Sequence, residues 1–213
     1  MLLFDLGNSR AKWATWAEGG YSQSGSVDRS DAEWEVRLRK QLRATPAPDR
    51  ILMASVAGQQ VVAAVGAITI SCWEMEPMQL QPRAMQCGVR SAYSEPAQMG
   101  VDRWLAMLAA WNRFQCPVCV VDFGTAATVD VVAADGRHLG GLIMPGIALS
   151  ELILQARTTG IRHAGPEASA TLGQSTGACV ANGSLLSVVG ALRMAQELMQ
   201  RECGADGVLV ATG

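Results

Sequence analysis

The sequence predicts a duplicated α/β fold built as two similar lobes, and three observations carry that prediction. The stretch Phe4-Asp5-Leu6-Gly7-Asn8-Ser9-Arg10-Ala11-Lys12 is echoed by Val121-Asp122-Phe123-Gly124-Thr125-Ala126-Ala127-Thr128-Val129-Asp130. In each, an apolar run (Leu2-Leu3-Phe4, Val118-Cys119-Val120-Val121) meets Asp-x-Gly, then a small polar residue, then a second apolar run. Such runs, bounded by glycine, read as buried strands, and the Asp-x-Gly between them as a tight hairpin turn. After each copy the pattern continues as further strand and then helix, so the first half begins again near Cys116-Pro117. The lobes are accordingly expected at residues 1–115 and 116–213.

The chain has 213 residues, 49% hydrophobic and 17% charged, enough for a sizeable core in one large domain or two half-size lobes. A net charge of −2 argues against a nucleic-acid or membrane-surface partner. Met1-Leu2-Leu3-Phe4 meets Asp5 at once without a basic start, which predicts no export leader. Ile51 to Trp73 carries no charge, but Gly58, Gln59, Gln60 and Gly66 interrupt it, so a buried strand and helix are expected there. Six cysteines include one close pair, Cys116 and Cys119. A lone CxxC lacks the second pair a structural zinc site needs and leads straight into an apolar strand, so it reads as core in a reducing cytoplasm. Neither His138 nor His163 sits in a metal-ligand or triad pattern.

In chain order, Ala11–Ala17 is expected as the second strand and Tyr21–Ser26 as a third. Ser30-Asp31-Ala32-Glu33 has the spacing of a capping box, with Ser30 as N-cap. The helix after it places Trp34, Leu38 and Leu42 on one face, with Arg37, Arg39, Lys40 and Arg43 on a solvated side. Arg50–Val56 is expected as strand, Gly58–Val65 as helix and Ile68–Trp73 as strand. Residues 77–100 read as a long irregular loop, of the kind that carries function. A strong helix begins near Gly100, with Val101, Trp104, Leu105, Leu108 and Trp111 as its apolar stripe and Asp102 and Arg103 off it. In the second half, strands are expected over 128–134 and 138–144, and Pro145-Gly146 opens a helix to about Arg157. A long helix follows Ser175-Thr176, facing Ala181, Leu185, Val188, Val189, Leu192, Ala195 and Met199 inward, and residues 207–213 form a last strand.

The two turns carry chemistry as well as shape. Glycine lets a ligand approach the backbone, successive N–H groups can cradle an anion, and Asn8, Ser9 and Thr125 add hydrogen bonds to phosphate oxygens. The aspartate at each strand end can hold a cation. Two such turns suit a nucleotide polyphosphate held in a cleft between the lobes; an ordinary hairpin occurring twice is the plain alternative. Phosphoryl transfer needs a cradle, charge neutralisation and a base at the acceptor hydroxyl. Lys12 supplies a cation, Asp102 is the candidate base, and Arg103 can bind an anionic group. The alternative for Asp102 is a helix-start carboxylate favoured by the dipole.

Asp5-Leu6-Gly7-Asn8-Ser9 with Lys12 resembles the first phosphate motif of the type III pantothenate kinases, of the acetate and sugar kinase/Hsp70/actin superfamily. Tyr93-Ser94-Glu95-Pro96 followed by Gly100-Val101-Asp102-Arg103 is similar to that family's Tyr-x-x-Pro and Gly-x-Asp-Arg. Asp122-Phe123-Gly124-Thr125-Ala126 resembles its second phosphate motif, and Gly140-Gly141-Leu142-Ile143-Met144-Pro145-Gly146 its Gly-Gly-x-Ile-x-Pro-Gly. Gly173-Gln174-Ser175-Thr176 is similar to its late substrate-contacting segment. Five motifs in order, spanning Leu3 to Gly213, make the resemblance specific.

The resemblance implies two ribonuclease H-like lobes of the actin-like ATPase fold and ATP-dependent phosphorylation of pantothenate, the first step towards coenzyme A. By it, Asp5, Leu6, Gly7, Asn8, Ser9, Arg10, Ala11, Lys12 and Thr125 contact ATP, and Asp102 accepts the proton. Tyr93, Gly100, Val101, Asp102, Arg103 and Thr176 contact pantothenate. Asp122 holds a monovalent cation, K+ or NH4+, and Mg2+ accompanies ATP. A homodimer is also implied, as is a final helix beyond Thr212-Gly213 that this sequence is expected to lack. A nucleotide-binding regulator without kinase activity, or a kinase or phosphatase with another acceptor, is the alternative; Tyr93, Asp102 and Arg103 together argue against the regulator.

Overall fold

The computed structural model describes residues 1–161, 168–204 and 207–213; His163 lies outside them. The chain forms two compact units, Met1–Pro82 with Met99–Asp102, and Arg83–Gln98 with Arg103–Gly213.

The first unit contains β1 (Leu2–Leu6), β2 (Arg10–Ala17), β3 (Gly20–Asp28), α1 (Trp34–Arg43), β4 (Ile51–Ser55), α2 (Gln59–Trp73) and β5 (Met78–Gln79). Its sheet runs β3-β2-β1-β4-β5. β1, β2 and β3 form an antiparallel meander, while β4 pairs parallel to β1 and β5 parallel to β4. Leu2, Phe4 and Leu6 alternate inward from β1, as the two-residue period of a strand requires. They meet Leu38 and Leu42 of α1 and Val61, Val65 and Ile68 of α2 in one apolar cluster.

Two local expectations fail here. Residues 68–73 are the second half of α2, not a strand. Val61, Val65, Ile68 and Thr69 are the buried positions, spaced as one helical face, and that burial overrides the β preference of Ile68, Thr69 and Ile70. Ser30 does not cap α1, which begins at Trp34 with no side-chain cap. The Ser30 amide and hydroxyl both donate to Asp28 Oδ1, and the Glu33 amide donates to Asp31 Oδ1 (2.9 Å). Two successive aspartate turns have taken the bonds a capping box would use.

The second unit holds β6 (Met85–Gln86), β7 (Val89–Arg90), a 3-10 turn at Pro96–Gln98, and α3 (Val101–Phe114) from Arg103 onward. β8 (Val118–Phe123), β9 (Ala126–Val132), β10 (His138–Pro145), α4 (Ile147–Arg157), α5 (Thr176–Cys203) and β11 (Val208–Thr212) follow. The sheet order β10-β9-β8-β11 repeats β3-β2-β1-β4, again with an antiparallel meander and a fourth strand parallel to the first. The ribonuclease H-like strand order therefore occurs twice.

The sequence placed the division at 115/116, whereas residues 83–98 and most of α3 pack with the second unit. Hydrogen bonds explain the allegiance. Trp104 Nε1 donates to Gln86 Oε1 (2.9 Å), Asn112 Nδ2 to the Cys87 carbonyl (2.9 Å) and Trp111 Nε1 to the Ala133 carbonyl (3.0 Å).

α5 is long and apolar enough, by length and composition alone, to cross a membrane. Its Ala195 and Met199 instead pack on Cys119, Val121, Val129 and Val131 of β8 and β9. The described cysteines are free thiols, as expected, and Cys119 is fully buried. Burial, with the charge of Asp130 adding to it, pushes its pKa up to about 11.

Candidate active site

The first turn joins β1 to β2. Asp5 and Lys12 are register partners on the two strands, both exposed, so opposite charges flank the turn. The Gly7 amide donates to the Arg10 carbonyl (3.0 Å), closing the turn, and Asn8, Ser9 and Arg10 project into solvent. Leu6 and Ala11 are buried beneath it. A Cβ on Gly7 would meet only the Arg10 carbonyl at 3.5 Å. Packing does not demand glycine there, and what its absence of side chain provides is open access to the backbone. Arg29 was not anticipated: its Nη1 donates to the carbonyls of Gly7 (2.6 Å) and Asn8 (2.7 Å), while its amide donates to the Ser9 carbonyl (2.8 Å). Three bonds from one residue make the turn rigid.

Asp102 lies in the same unit, in the first turn of α3 and half-buried. Its carboxylate folds back over Gly100, so that a Cβ on Gly100 would stand 2.6 Å from Oδ1 and 3.7 Å from Val56 Cγ1. The Val56 amide donates to the Leu6 carbonyl (3.0 Å), one residue before Gly7. The unit thus packs the Gly100–Asp102 segment on the residue that follows β4 and is tied to the end of β1.

In the second unit, Asp122 is the penultimate residue of β8, half-buried, opposite Thr128 on β9 and Thr212 on β11. The Gly124 amide donates to the Ala126 carbonyl (3.2 Å), leaving Thr125 exposed at the tip. The Gly146 amide donates to the Thr125 carbonyl (2.9 Å), and a Cβ on Gly146 would collide with the carbonyls of Gly124 and Thr125. Gly146 is therefore required where α4 starts, because the turn packs directly on it. Thr176 opens α5, exposed, beside the cap Ser175, whose Oγ accepts from the Ala178 amide (3.2 Å).

Arg103 departs from its expected place off the apolar stripe: it is buried. Its Nε donates to Asp130 Oδ2 (2.8 Å) and its Nη2 to Asp130 Oδ1 (2.6 Å), a two-bond fork. Its Nη1 donates to the Tyr93 hydroxyl (3.2 Å). His138 Nε2 sits 3.0 Å from Asp130 Oδ1, and its ring stacks on Tyr93 with centroids 6.2 Å apart. Gly141 completes the enclosure, since a Cβ there would run into Asp130 Oδ1 and Arg103 Nη2. Burial alone would raise the Asp130 pKa, but the hydrogen bonds from His138 and Arg103 and the charge of Arg103 hold it below the usual carboxylate value. Burial likewise opposes the Arg103 cation, and the bonds and charge of Asp130, with Tyr93 adding, keep its pKa above the ordinary one.

Of the expected acceptor contacts, hydrogen bonding thus joins Tyr93 and Arg103; Gly100, Val101 and Asp102 directly precede Arg103 in the chain but pack with the first unit, and Thr176 stands at the start of α5. Missed in the sequence were Arg29, which leaves no local signal, and Asp130 with His138. Asp130 does leave one: a lone charge in Thr128-Val129-Asp130-Val131-Val132 must find a partner once buried.

The residues fit a nucleotide and hard cations. Exposed Asn8, Ser9, Arg10 and Lys12 offer phosphate donors beside the Asp5 carboxylate, and Asp122 with Thr125 offers oxygen ligands. Among the described residues no three His, Cys, Asp or Glu side chains form a metal cage. Any cation here takes its remaining ligands from substrate or water.

A family model described as type III pantothenate kinase matches residues 1–197. The chain belongs to that family. The type III pantothenate kinase of Nitrosococcus oceani is 36% identical over 195 residues, 89% of this chain and 73% of its own. That of Alcanivorax borkumensis is 34% identical over 215 residues, covering 100% of this chain and 86% of its own. Solved structures agree on the fold. A Campylobacter jejuni protein assigned to the Baf family of transcriptional activators superposes with TM-score 0.57 at 20% identity, over 98% of this chain and 81% of its own. A Sinorhizobium meliloti protein described as a 2-dehydro-3-deoxygalactonokinase gives TM-score 0.53 at 16% identity, over 99% of this chain and 85% of its own. Family membership and the actin-like ATPase fold are thereby shown.

The Arg103–Asp130 pair makes a stability prediction. Asp130→Asn leaves a buried cation without its counter-charge and should cost about 3–5 kcal/mol at neutral pH, read by urea unfolding. The native carboxyl has a lowered pKa, so its contribution is complete above about pH 4 and is lost as pH falls through the native pKa. The gap between wild type and Asp130→Asn should therefore narrow on acidification; a gap that widens contradicts the ion-pair account.

Proposed function

We propose that this chain transfers the γ-phosphoryl group of ATP to the hydroxyl of pantothenate, yielding 4'-phosphopantothenate and ADP at the first step of coenzyme A biosynthesis. The observation that carries the reading is the Asp102 carboxylate held over Gly100, in the unit that also bears the Asp5–Lys12 turn.

Asp102 accepts the proton of the pantothenate hydroxyl as that oxygen bonds to the γ-phosphorus, and the bond from phosphorus to the ADP oxygen breaks. Asp5, Leu6, Gly7, Asn8, Ser9, Arg10, Ala11 and Lys12 bind ATP through the turn that Arg29 braces, and Thr125 is an ATP contact in the second unit. Gly100, Val101 and Asp102 line the acceptor, with Tyr93, Arg103 and Thr176 as its polar contacts. Asp5 would help to hold Mg2+ and Asp122 a monovalent cation, K+ or NH4+, and each cation would supply positive charge to neutralise phosphate. Exposed Ile143 on β10 and Leu152 and Ile153 on α4 support a homodimer that covers them. Unpaired cysteines support a cytoplasmic setting, and the low net charge supports small-molecule substrates over nucleic acid or membrane.

Asp102→Asn keeps volume and removes the base, so turnover in a coupled ADP assay should fall at least about 100-fold with the fold retained by circular dichroism. Full turnover by that variant would end the assignment. Gly100→Ala should keep the fold, read by far-ultraviolet circular dichroism, yet lose at least about tenfold in kcat because its Cβ displaces the Asp102 carboxylate. Turnover should be higher in potassium than in sodium at equal ionic strength, and Asp122→Asn should erase that preference. Equal rates in the two salts would count against Asp122 as a cation ligand.

A further inference from the structure

Asp130 and His138 lie outside the substrate contacts assigned above, yet both are locked onto residues within that set. Asp130 engages Nε and Nη2 of Arg103, so the guanidinium plane is fixed and its Nη1 corner is directed at the Tyr93 hydroxyl. His138 works on the other partner. Its Nδ1 accepts from the Ala92 amide (3.4 Å), which leaves the neutral ring's proton on Nε2, donated to Asp130 Oδ1 (3.0 Å). One imidazole therefore ties the buried carboxylate to the backbone just before Tyr93 and stacks on the Tyr93 ring. A bulge between His138 and Gly140, with Gly140 at φ 129°, starts this strand, and Gly141 makes room for the pair.

We propose that Asp130 and His138 are positioning residues for the acceptor subsite: Asp130 sets the plane of Arg103, and His138 sets the ring and loop of Tyr93. The proposal rests on the reading that Arg103 and Tyr93 contact pantothenate. Neither Asp130 nor His138 touches substrate, and their effect is confined to one side of the reaction. Binding of the acceptor depends on them; binding of ATP does not.

The test is steady-state kinetics with each substrate varied, on the full chain. His138→Ala should raise the KM for pantothenate about tenfold while the KM for ATP and kcat change less than about threefold. His138→Gln should recover part of the loss, because its amide N–H can still reach Asp130 Oδ1. Tyr93→Ala combined with His138→Ala should raise the pantothenate KM by less than the product of the two single effects, since the histidine acts in part through that ring. Calorimetric titration of pantothenate into the ATP-free protein should report the same ranking without turnover. If His138→Ala does not fold, His138→Asn, too short to reach Asp130, takes its place against His138→Gln. A matching loss in ATP KM and kcat, or an unmoved pantothenate KM where Tyr93→Ala raises it, overturns the proposal. If Tyr93→Ala and Arg103→Lys themselves leave pantothenate KM unchanged, the contact assignment falls, and the proposal with it.

Discussion

Asp130 carries a negative charge into the interior of the second unit, and the surrounding chain is arranged to tolerate it. Taking a carboxylate out of water is costly unless opposite charge and hydrogen bonds replace the solvent. Arg103 supplies the charge from α3, His138 a ring nitrogen from β10, and Gly141 the space. Two segments, α3 and β10, are pinned to one position on β9 by this requirement. It also explains why α3 from Arg103 onward packs with the second unit while Asp102, one residue earlier, packs with the first. The boundary between the two units thus falls between adjacent residues of one motif, inside the first turn of α3.

Much of the fold is legible in the sequence because strands with a buried face must alternate and helices must repeat near 3.6 residues. Leu38 and Leu42, and Ala195 and Met199, face where their spacing places them. The misreadings have local causes. Ile68 to Trp73 looks like strand because of its isoleucines, but one continuous buried face continues the helix through Gly66. Ser30 and Glu33 have capping-box spacing, but Asp28 and Asp31 compete for the same amides from two residues away. Nothing in residue spacing ranks those two hydrogen-bonding schemes.

The site is legible to a different degree. Asp-x-Gly turns announce themselves through residue types that only ligand access or a tight corner requires, and a Cβ on Gly7 or Gly124 would meet a single backbone carbonyl, at 3.5 and 3.4 Å. Gly141 and Gly146 have the contrary reason, since side chains there would strike Asp130 and the second turn. The motif Gly-Gly-x-Ile-x-Pro-Gly is in this sense a packing rule written beside a binding rule. Arg29 and His138 were invisible because each acts through a partner more than twenty residues away, or through strand pairing, which one sequence does not encode as spacing.

The buried thiol of Cys119 has a practical corollary. With its proton held to about 11 and no solvent access, it is inert to electrophiles while the chain stays folded. Cys87 and Cys179 are exposed. Fluorophores or spin labels attached to those two would report on the loop before α3 and on the start of α5, with Cys119 silent until the molecule unravels.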